Sequence, residues 1–317
     1  MKIKIAGDLK KLEFWAIEDE IPAIAGSGVS QPELFVHSFK NPVLIVDNAA
    51  IAKLPSTKRD AIIRLMEFPR RITEYDGVEI EWSGLKYPKV WSPSIDTILF
   101  AKTIKTLSED AQYFNSLDSL LEIGSGSGYL SKYILKKKLE SVKHLRSACL
   151  MDINRDALAC AMDAIKPLKS NTLVSYCLNS PGQSIKTDQS YDLIIANPPY
   201  VPRPNSKTDN PFEGLFLYGE ILAQAKKIMN PEGSLIINFS SISKDEVYPE
   251  FKKIFYMKTV EKMRVPLKIP LITSGLSDSS RNWMKYLLDN DKLEIDENEK
   301  SGYKFWQTIE IVKCNLK

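Results

Sequence analysis

The sequence predicts an α/β chain built on an open, mostly parallel sheet, and three observations carry that prediction. From about residue 117 strand-like and helix-like stretches alternate, which implies βαβ units. A glycine loop, Gly124-Ser125-Gly126-Ser127-Gly128, lies between the first of these strands and its helix. The short apolar run Leu193-Ile194-Ile195-Ala196 follows Asp192 and stops at Asn197-Pro198-Pro199-Tyr200, as expected of a parallel strand buried on both faces.

Length and composition set the frame. The 317 residues suffice for one large or two modest domains with a sizeable core. The chain is 44% apolar and 26% charged, the balance of an ordinary globular protein. A net charge of +3 permits nucleic acid as a partner without demanding it. The cysteines, at 149, 160, 177 and 314, form no CxxC pair, and the only histidines are His37 and His144. No structural metal site is expected from them, and buried thiols in a reducing compartment are. The start, Met1-Lys2-Ile3-Lys4-Ile5, lacks the apolar core of a signal peptide, and no apolar run reaches membrane-spanning length. A cytoplasmic protein without membrane partners is expected.

Residues 1–70 read as a small accessory α+β unit. Lys2 to Ile5 alternates like a strand, Pro42 to Val46 is an apolar strand, and Thr57-Lys58-Arg59-Asp60 has capping-box spacing before a helix. Ala25 to Gly28 and Gln31-Pro32 mark loops. Substrate presentation and plain packing are equally open for this unit. The segment 72–84 is a bridging hairpin: Asp76-Gly77 is a strong hairpin turn signal. Val78, Ile80 and Trp82 share one face, with Glu79 and Glu81 on the other.

The rest, 71–317, forms the main domain. Ser92-Pro93 fits the start of a helix in which Ile95, Ile98, Leu99 and Ile104 recur at helical spacing. Strands are then expected at 119–123, 148–152, 173–177, 192–196 and 234–239, with helices at 129–138, 156–165, 220–229 and 245–255. The turn Asn230-Pro231-Glu232-Gly233 closes the third of these helices. Two final strands, 258–265 and 305–312, are separated by an insertion at 266–302. It holds turn signals, a helix over 282–288 and an acidic run from Asp289 to Glu299 that reads as a solvated face. A connection this long is uncommon inside a compact domain.

The chemistry gathers at the expected carboxyl edge of the sheet, where open α/β sheets bind ligands. Glycines 124, 126 and 128 let backbone approach a ligand and aim helix N-terminal N–H groups at it. The spacing departs from the dinucleotide fingerprint, since the third glycine comes one residue early. Asp152 ends the next strand, where a carboxylate can accept from ribose hydroxyls. Asn154 can cap the following helix in its place. Two prolines end the strand after Asn197 and hold that residue extended. Its side-chain amide, the Pro198 carbonyl and the Tyr200 ring suit gripping a planar NH2 group. An ordinary polar turn is the bland alternative.

Together, the glycine loop, Asp152 and Asn197-Pro198-Pro199-Tyr200 resemble the class I S-adenosylmethionine-dependent methyltransferases, in the branch with an Asn/Asp-Pro-Pro-Tyr motif. That resemblance implies a Rossmann-like seven-stranded sheet whose final strand is antiparallel, with S-adenosyl-L-methionine as cofactor. Within the branch the chain is most similar to the glutamine methyltransferases of peptide release factors. The bridging hairpin and Tyr200-Val201-Pro202 fit. Val90-Trp91-Ser92-Pro93-Ser94-Ile95-Asp96-Thr97 looks like the family's Tyr-x-Pro-x-x-Asp-Thr element, with Trp91 for the tyrosine. The resemblance implies that Thr97, Glu122, Gly124, Ser125, Gly126, Asp152, Ile153, Asn179 and Asn197 meet the cofactor. Asp152 would hold the ribose, and Ile153 and Asn179 would lie at the adenine. Asn197, Pro198 and Tyr200 would hold the acceptor. Asn179 stands where many relatives carry an acid.

Other acceptors fit the same motifs: an exocyclic amine of adenine or guanine in RNA or DNA, or a small-molecule amine or amide. The tract Lys132, Lys136, Lys137, Lys138, Lys143 and Arg146 could meet phosphates, though it reads first as a solvated helix face. A non-catalytic methyltransferase-like subunit need not retain the acceptor clamp. A nicotinamide-dependent dehydrogenase would need different glycine spacing and an acid/base group that is not evident.

Overall fold

The computed structural model describes residues 2–8, 13–16, 34–38, 42–46, 70–266, 286–295 and 305–317, with short gaps at 84–85, 88–89, 92, 94, 181–184, 186 and 201–214. The expected loops at 25–32, the helix from Thr57 and the Val201-Pro202 match lie outside the described residues.

Strands β1 (Lys2–Asp8), β2 (Glu13–Ala16), β5 (Arg70–Tyr75) and β6 (Val78–Ser83) form one sheet in the order β2-β1-β5-β6. β3 (Leu34–Ser38) and β4 (Pro42–Val46) pair with each other. The hairpin turn places both Asp76 and Gly77 at positive φ, as the Asp-Gly signal requires. Val78, Ile80 and Trp82 are buried, and Glu79 and Glu81 exposed. The hairpin strand β5 pairs in parallel with β1, so the hairpin belongs to the same sheet as the first strands of the chain.

The main sheet runs β12-β14-β11-β10-β7-β8-β9. Its members are β7 (Ser119–Ile123), β8 (Ser147–Asp152), β9 (Leu173–Leu178), β10 (Tyr191–Ala196), β11 (Met229–Ser240), β12 (Phe255–Pro266) and β14 (Phe305–Leu316). β7 to β11 pair in parallel, whereas β14 is antiparallel to both of its long neighbours. A two-residue strand, β13 (Glu294–Ile295), adds to β14 from within the insertion. The seven expected strands are therefore present, with β13 as a short eighth.

Alternate residues of each strand serve opposite faces. Leu120, Leu193, Ile195 and Ile236 join a core cluster with helices α1 (Ile95–Ser108), α3 (Tyr129–Leu139) and α4 (Arg155–Ile165). Leu121, Ile123, Ile194, Ala196 and Ile237 join a second cluster with α5 (Phe216–Ile228) and α6 (Lys244–Ile254). This two-sided burial is what continuous apolar strands require.

Several boundaries differ from the sequence expectation. α1 begins at Ile95, past Pro93 rather than with Pro93 in its first turn. A short helix, α2 (Ala111–Ser116), was not expected. Asp110 caps it by accepting from the Tyr113 N–H at 3.0 Å. Residues 229–233 are no simple helix-closing turn: β11 already pairs at Met229, and the register shifts before Ser234 because one stretch bulges past Tyr191–Leu193. In the insertion, residues 286–289 are helical and Leu287 is fully buried against Ile242. The described acids of the acidic run are exposed, as expected, and Glu294 is also paired, since Arg264 lies 2.8 Å away and Thr308 Oγ1 donates to it at 3.0 Å. Among the described residues no helix is long and apolar enough to cross a membrane.

Candidate active site

The site is assembled on the carboxyl edges of β7, β8, β9 and β10. β7 ends at Ile123 and α3 begins at Tyr129, so the glycine loop fills the turn between them. Its glycines all take positive φ: 72° at Gly124, 51° at Gly126 and 73° at Gly128. The N–H groups of Gly124 and Ser125 donate to the Met151 carbonyl, at 2.8 and 3.1 Å, which ties the loop to β8. The three glycines then diverge in role. A Cβ on Gly128 would lie 2.6 Å from the Cα and Cβ of Ala161, so this glycine lets α3 and α4 approach. A Cβ on Gly126 would meet no atom within 4 Å, so that backbone faces open space. Between Gly124 and Gly126 the Ser125 hydroxyl is buried without a hydrogen-bond partner.

Asp152, at the end of β8, holds the loop from the other side. Its Oδ2 accepts from Gly126 N–H and its Oδ1 from Asn154 N–H, each at 2.9 Å. Each oxygen keeps a further lone pair for an incoming hydroxyl. Burial raises the Asp152 pKa, against the pull of those backbone donors. Asn154 caps α4 by accepting from Asp156 N–H at 3.0 Å, so the cap does not consume Asp152. Asn179 follows β9, half-buried, and its N–H donates to the Asp152 carbonyl at 2.8 Å. Ile153 lies beside Asp152 and is likewise half-buried.

Glu122 is placed differently. It is 3% exposed, and its Oε2 accepts from the hydroxyl of Ser131 and from Ser131 N–H at 3.2 Å. The carboxyl therefore braces the first turn of α3 behind the loop. Burial pushes its pKa up to about 8, and the Asp152 charge adds to that push.

The residues expected to hold the acceptor lie at the end of β10, beside α1. Asn197 Nδ2 donates to Asp96 Oδ2 at 3.0 Å, while Asn197 Oδ1 is buried with no hydrogen-bond partner. Such an atom is uncommon and calls for a reason. Pro198 is buried, and Tyr200 packs half-buried against both core clusters. A chain of hydrogen bonds reaches the Tyr200 hydroxyl: Ile242 N–H donates to Ser240 Oγ at 3.1 Å, Ser240 Oγ–H to Gln307 Oε1 at 2.7 Å, and Gln307 Nε2 to Tyr200 Oη at 3.5 Å. Burial, helped by the Asp96 charge, pushes the Tyr200 phenol upward, so it stays protonated. Thr97 lies half-buried one residue beyond Asp96. Sequence reasoning named Asp96 within a motif without giving it a role, and missed Ser131, Ser240 and Gln307. No local spacing marks Ser240 and Gln307, since they are 67 residues apart and Gln307 is 107 from Tyr200; Ser131 is nine residues from Glu122, across the glycine loop.

The basic tract is a solvated face only in part: Lys143 and Arg146 are exposed, while the lysines of α3 turn to partners in the protein. Lys132 Nζ donates to the Glu79 carbonyl at 2.6 Å, Lys136 to the Gly77 carbonyl, and Lys137 pairs with Asp76 at 2.9 Å. Lys138 is 1% exposed and donates to the Phe114 and Leu117 carbonyls, each at 2.8 Å. Lys143 and Arg146 both pair with Asp118, at 2.7 and 3.6 Å. The hairpin and the end of α2 offer carbonyls, and Asp76 a carboxylate, that hold Lys132, Lys136, Lys137 and Lys138 against the protein.

A methionine carboxylate or amine near Ser125, and a ribose at Asp152, would meet unused hydrogen-bonding capacity, so these residues fit S-adenosylmethionine. Comparison with known proteins agrees in class. Residues 99–264 match the family model of the methyltransferase small domain. No curated protein matches. Among solved structures, the M. jannaschii tRNA m1G37 methyltransferase is 14% identical, covers 96% of this chain and 82% of its own, and has a TM-score of 0.48. The N-methyltransferase NodS from Bradyrhizobium japonicum WM9, solved with S-adenosyl-L-homocysteine, is 12% identical over 68% of this chain and 87% of its own, with a TM-score of 0.38. YcgJ from Bacillus subtilis is 10% identical over 68% of this chain and 99% of its own, with a TM-score of 0.44. Since the family model spans more than half of its length, this chain belongs to the methyltransferase small-domain family, and it is an S-adenosylmethionine-dependent enzyme.

Proposed function

We propose that this methyltransferase acts on a planar NH2 group, and that its acceptor is the side-chain amide of a glutamine in a protein such as a peptide release factor. The observation that carries the proposal is the buried, unpartnered Asn197 Oδ1 at the carboxyl edge of β10. The glutamine assignment rests on the motif resemblance around Asp96-Thr97 and Tyr200.

Gly124, Ser125 and Gly126 would hold the methionine part of the cofactor and Asp152 its ribose, with Ile153 and Asn179 beside the adenine and Thr97 at the mouth of the site. Glu122 would act by holding the loop. The bound cofactor supplies an electrophilic methyl group on a sulfonium. An amide nitrogen is a poor nucleophile, because its lone pair is delocalised into the carbonyl. Asn197 Oδ1 and the Pro198 carbonyl accept its two N–H hydrogens. They thereby turn the lone pair out of conjugation and stabilise the positive charge that grows on nitrogen. The Tyr200 ring stacks on the planar group. Hydrogen bonds to a group that becomes charged are worth about 1.5–3 kcal/mol each. Positioning can supply roughly 7–11 kcal/mol more. Residues 1–70 would present the partner and 71–317 carry the chemistry, with the hairpin over 72–84 joining them through the pairing of β1 with β5.

The test begins with calorimetric titration of S-adenosylmethionine. Methyl transfer from labelled cofactor into a lysate divided into protein and RNA follows. Label in one protein band supports the glutamine assignment; label in RNA moves the acceptor to a base amine. Asn197→Ala should lose most turnover while cofactor affinity survives. Undiminished turnover in that variant would remove Asn197 from the mechanism.

A further inference from the structure

The two ends of an asparagine amide are nearly equal in size and differ in the hydrogens they carry. Which end of Asn197 faces the acceptor is therefore decided by its neighbours. We propose that Asp96 is a positioning residue that fixes the Asn197 amide with its oxygen toward the acceptor. This inference rests on the acceptor-gripping role proposed above for Asn197.

Asp96 lies in the first turn of α1, is 8% exposed, and is brought to Asn197 across 101 residues of sequence. A carboxylate has no hydrogen to give, so it can hold only the Nδ2 end, and it does so at 3.0 Å. The opposite rotamer would set Oδ1 against Asp96 Oδ2, lone pair to lone pair. It would also aim an NH2 group at the incoming NH2 group, donor against donor. Both contacts are repulsive in a buried site, where an unmet polar group is costly. The observed arrangement leaves one strong acceptor, Oδ1, unpaired. It suits an acceptor that offers hydrogens and refuses one that offers oxygen lone pairs. Asp96 thereby sets a preference for nitrogen over oxygen nucleophiles without touching the acceptor.

The test uses two ligands of the full chain: S-adenosylhomocysteine, which lacks the methyl group, and sinefungin, which carries an amine in its place. The amine probes Asn197 Oδ1, and S-adenosylhomocysteine reports that the cofactor site is folded. Affinities are measured by calorimetry for wild type, Asp96→Asn, Asn197→Ala and the double variant. The expected result is a loss of about tenfold in sinefungin affinity for each single variant. S-adenosylhomocysteine affinity should hold within about twofold in Asp96→Asn, and Asp96→Asn should add nothing in the Asn197→Ala background. An equal Asp96→Asn loss in both backgrounds, or an equal loss for both ligands, would overturn the inference and make Asp96 a direct contact of the cofactor site. If Asn197→Ala leaves sinefungin affinity unchanged, the Asn197 role itself falls, which is a separate outcome. Should Asp96→Asn fail to bind S-adenosylhomocysteine at all, Asp96→Ser takes its place in the same cycle.

Discussion

Gly126 and Gly128 are two residues apart in one loop, yet replacing each with alanine should break different things. At Gly128 the new Cβ would sit 2.6 Å from Ala161 Cα and Cβ, and φ is 73°. Alanine at positive φ costs roughly 1–2 kcal/mol. Forcing a methyl group into packed atoms costs about 1–3 kcal/mol more, and here one obstacle is backbone, which a rotamer change cannot move. The total is about 2–5 kcal/mol of folding stability. At Gly126 φ is 51°, but the added Cβ would meet nothing within 4 Å. Only the conformational cost of about 1–2 kcal/mol applies there. That methyl group would instead stand in the open space of the proposed cofactor site. Urea unfolding followed by circular dichroism measures the first effect, and calorimetry with S-adenosylhomocysteine the second. Gly128→Ala should unfold at clearly lower urea. Gly126→Ala should lose only the conformational cost of about 1–2 kcal/mol, less than Gly128→Ala, while losing at least tenfold in affinity, about 1.4 kcal/mol. The reasoning fails if Gly128→Ala lies within about 0.5 kcal/mol of wild type, or if Gly126→Ala binds normally.

Two carboxyl groups make opposite pH predictions. For Glu122 the folded pKa, about 8, lies above the unfolded value. The unfolded chain therefore ionises first, and stability falls as pH rises between the two values by roughly 1.4 kcal/mol per unit. Glu122→Gln should flatten that slope in urea midpoints taken from pH 5 to 8; an unchanged slope would refute it. Asp76 is held down near 2: against the upward push of burial, it accepts from Lys105, Lys137 and Tyr133. Its contribution is present above its unfolded pKa and lost as pH falls through about 2. Asp76→Asn should therefore cost about 1–2 kcal/mol at pH 7, allowing for partial solvent screening, and far less near pH 2. Equal destabilisation at both pH values would count against the ion-pair account.

The sheet was legible in the sequence because a parallel strand buried on both faces must be apolar throughout, and Leu193 to Ala196 has no other stable place. The glycine loop was legible because positive φ and close backbone approach admit few other residues. Side-chain partnerships were not legible. Lysines at 132 and 136 have the spacing of an exposed helix face, yet their partners are carbonyls more than fifty residues earlier in the hairpin. Asp192 reads as the polar start of a strand. In the fold its carboxylate accepts from Asp118 N–H, Ser119 N–H and the Asn230 amide at the edge opposite the site. Asp96 and Gln307 acquire meaning only when α1 and β14 converge on Asn197 and Tyr200. Such contacts depend on topology, which local periodicity does not encode.

The placement of β14 also bears on how the chain is made. It lies between β11 and β12, both of which precede it in sequence. During synthesis those two strands emerge without their common partner, and each offers a bare ladder of backbone donors and acceptors until residues 305–316 leave the ribosome. Bare ladders of this kind recruit other chains. Pairings between distant segments are also slow to form. A nascent chain stalled before residue 305 would carry its glycine loop and Asn197 yet lack the strand that holds the Tyr200 hydroxyl through Gln307. Ribosome pausing in that stretch would therefore expose the enzyme to aggregation while the surroundings of Tyr200 are still unfinished.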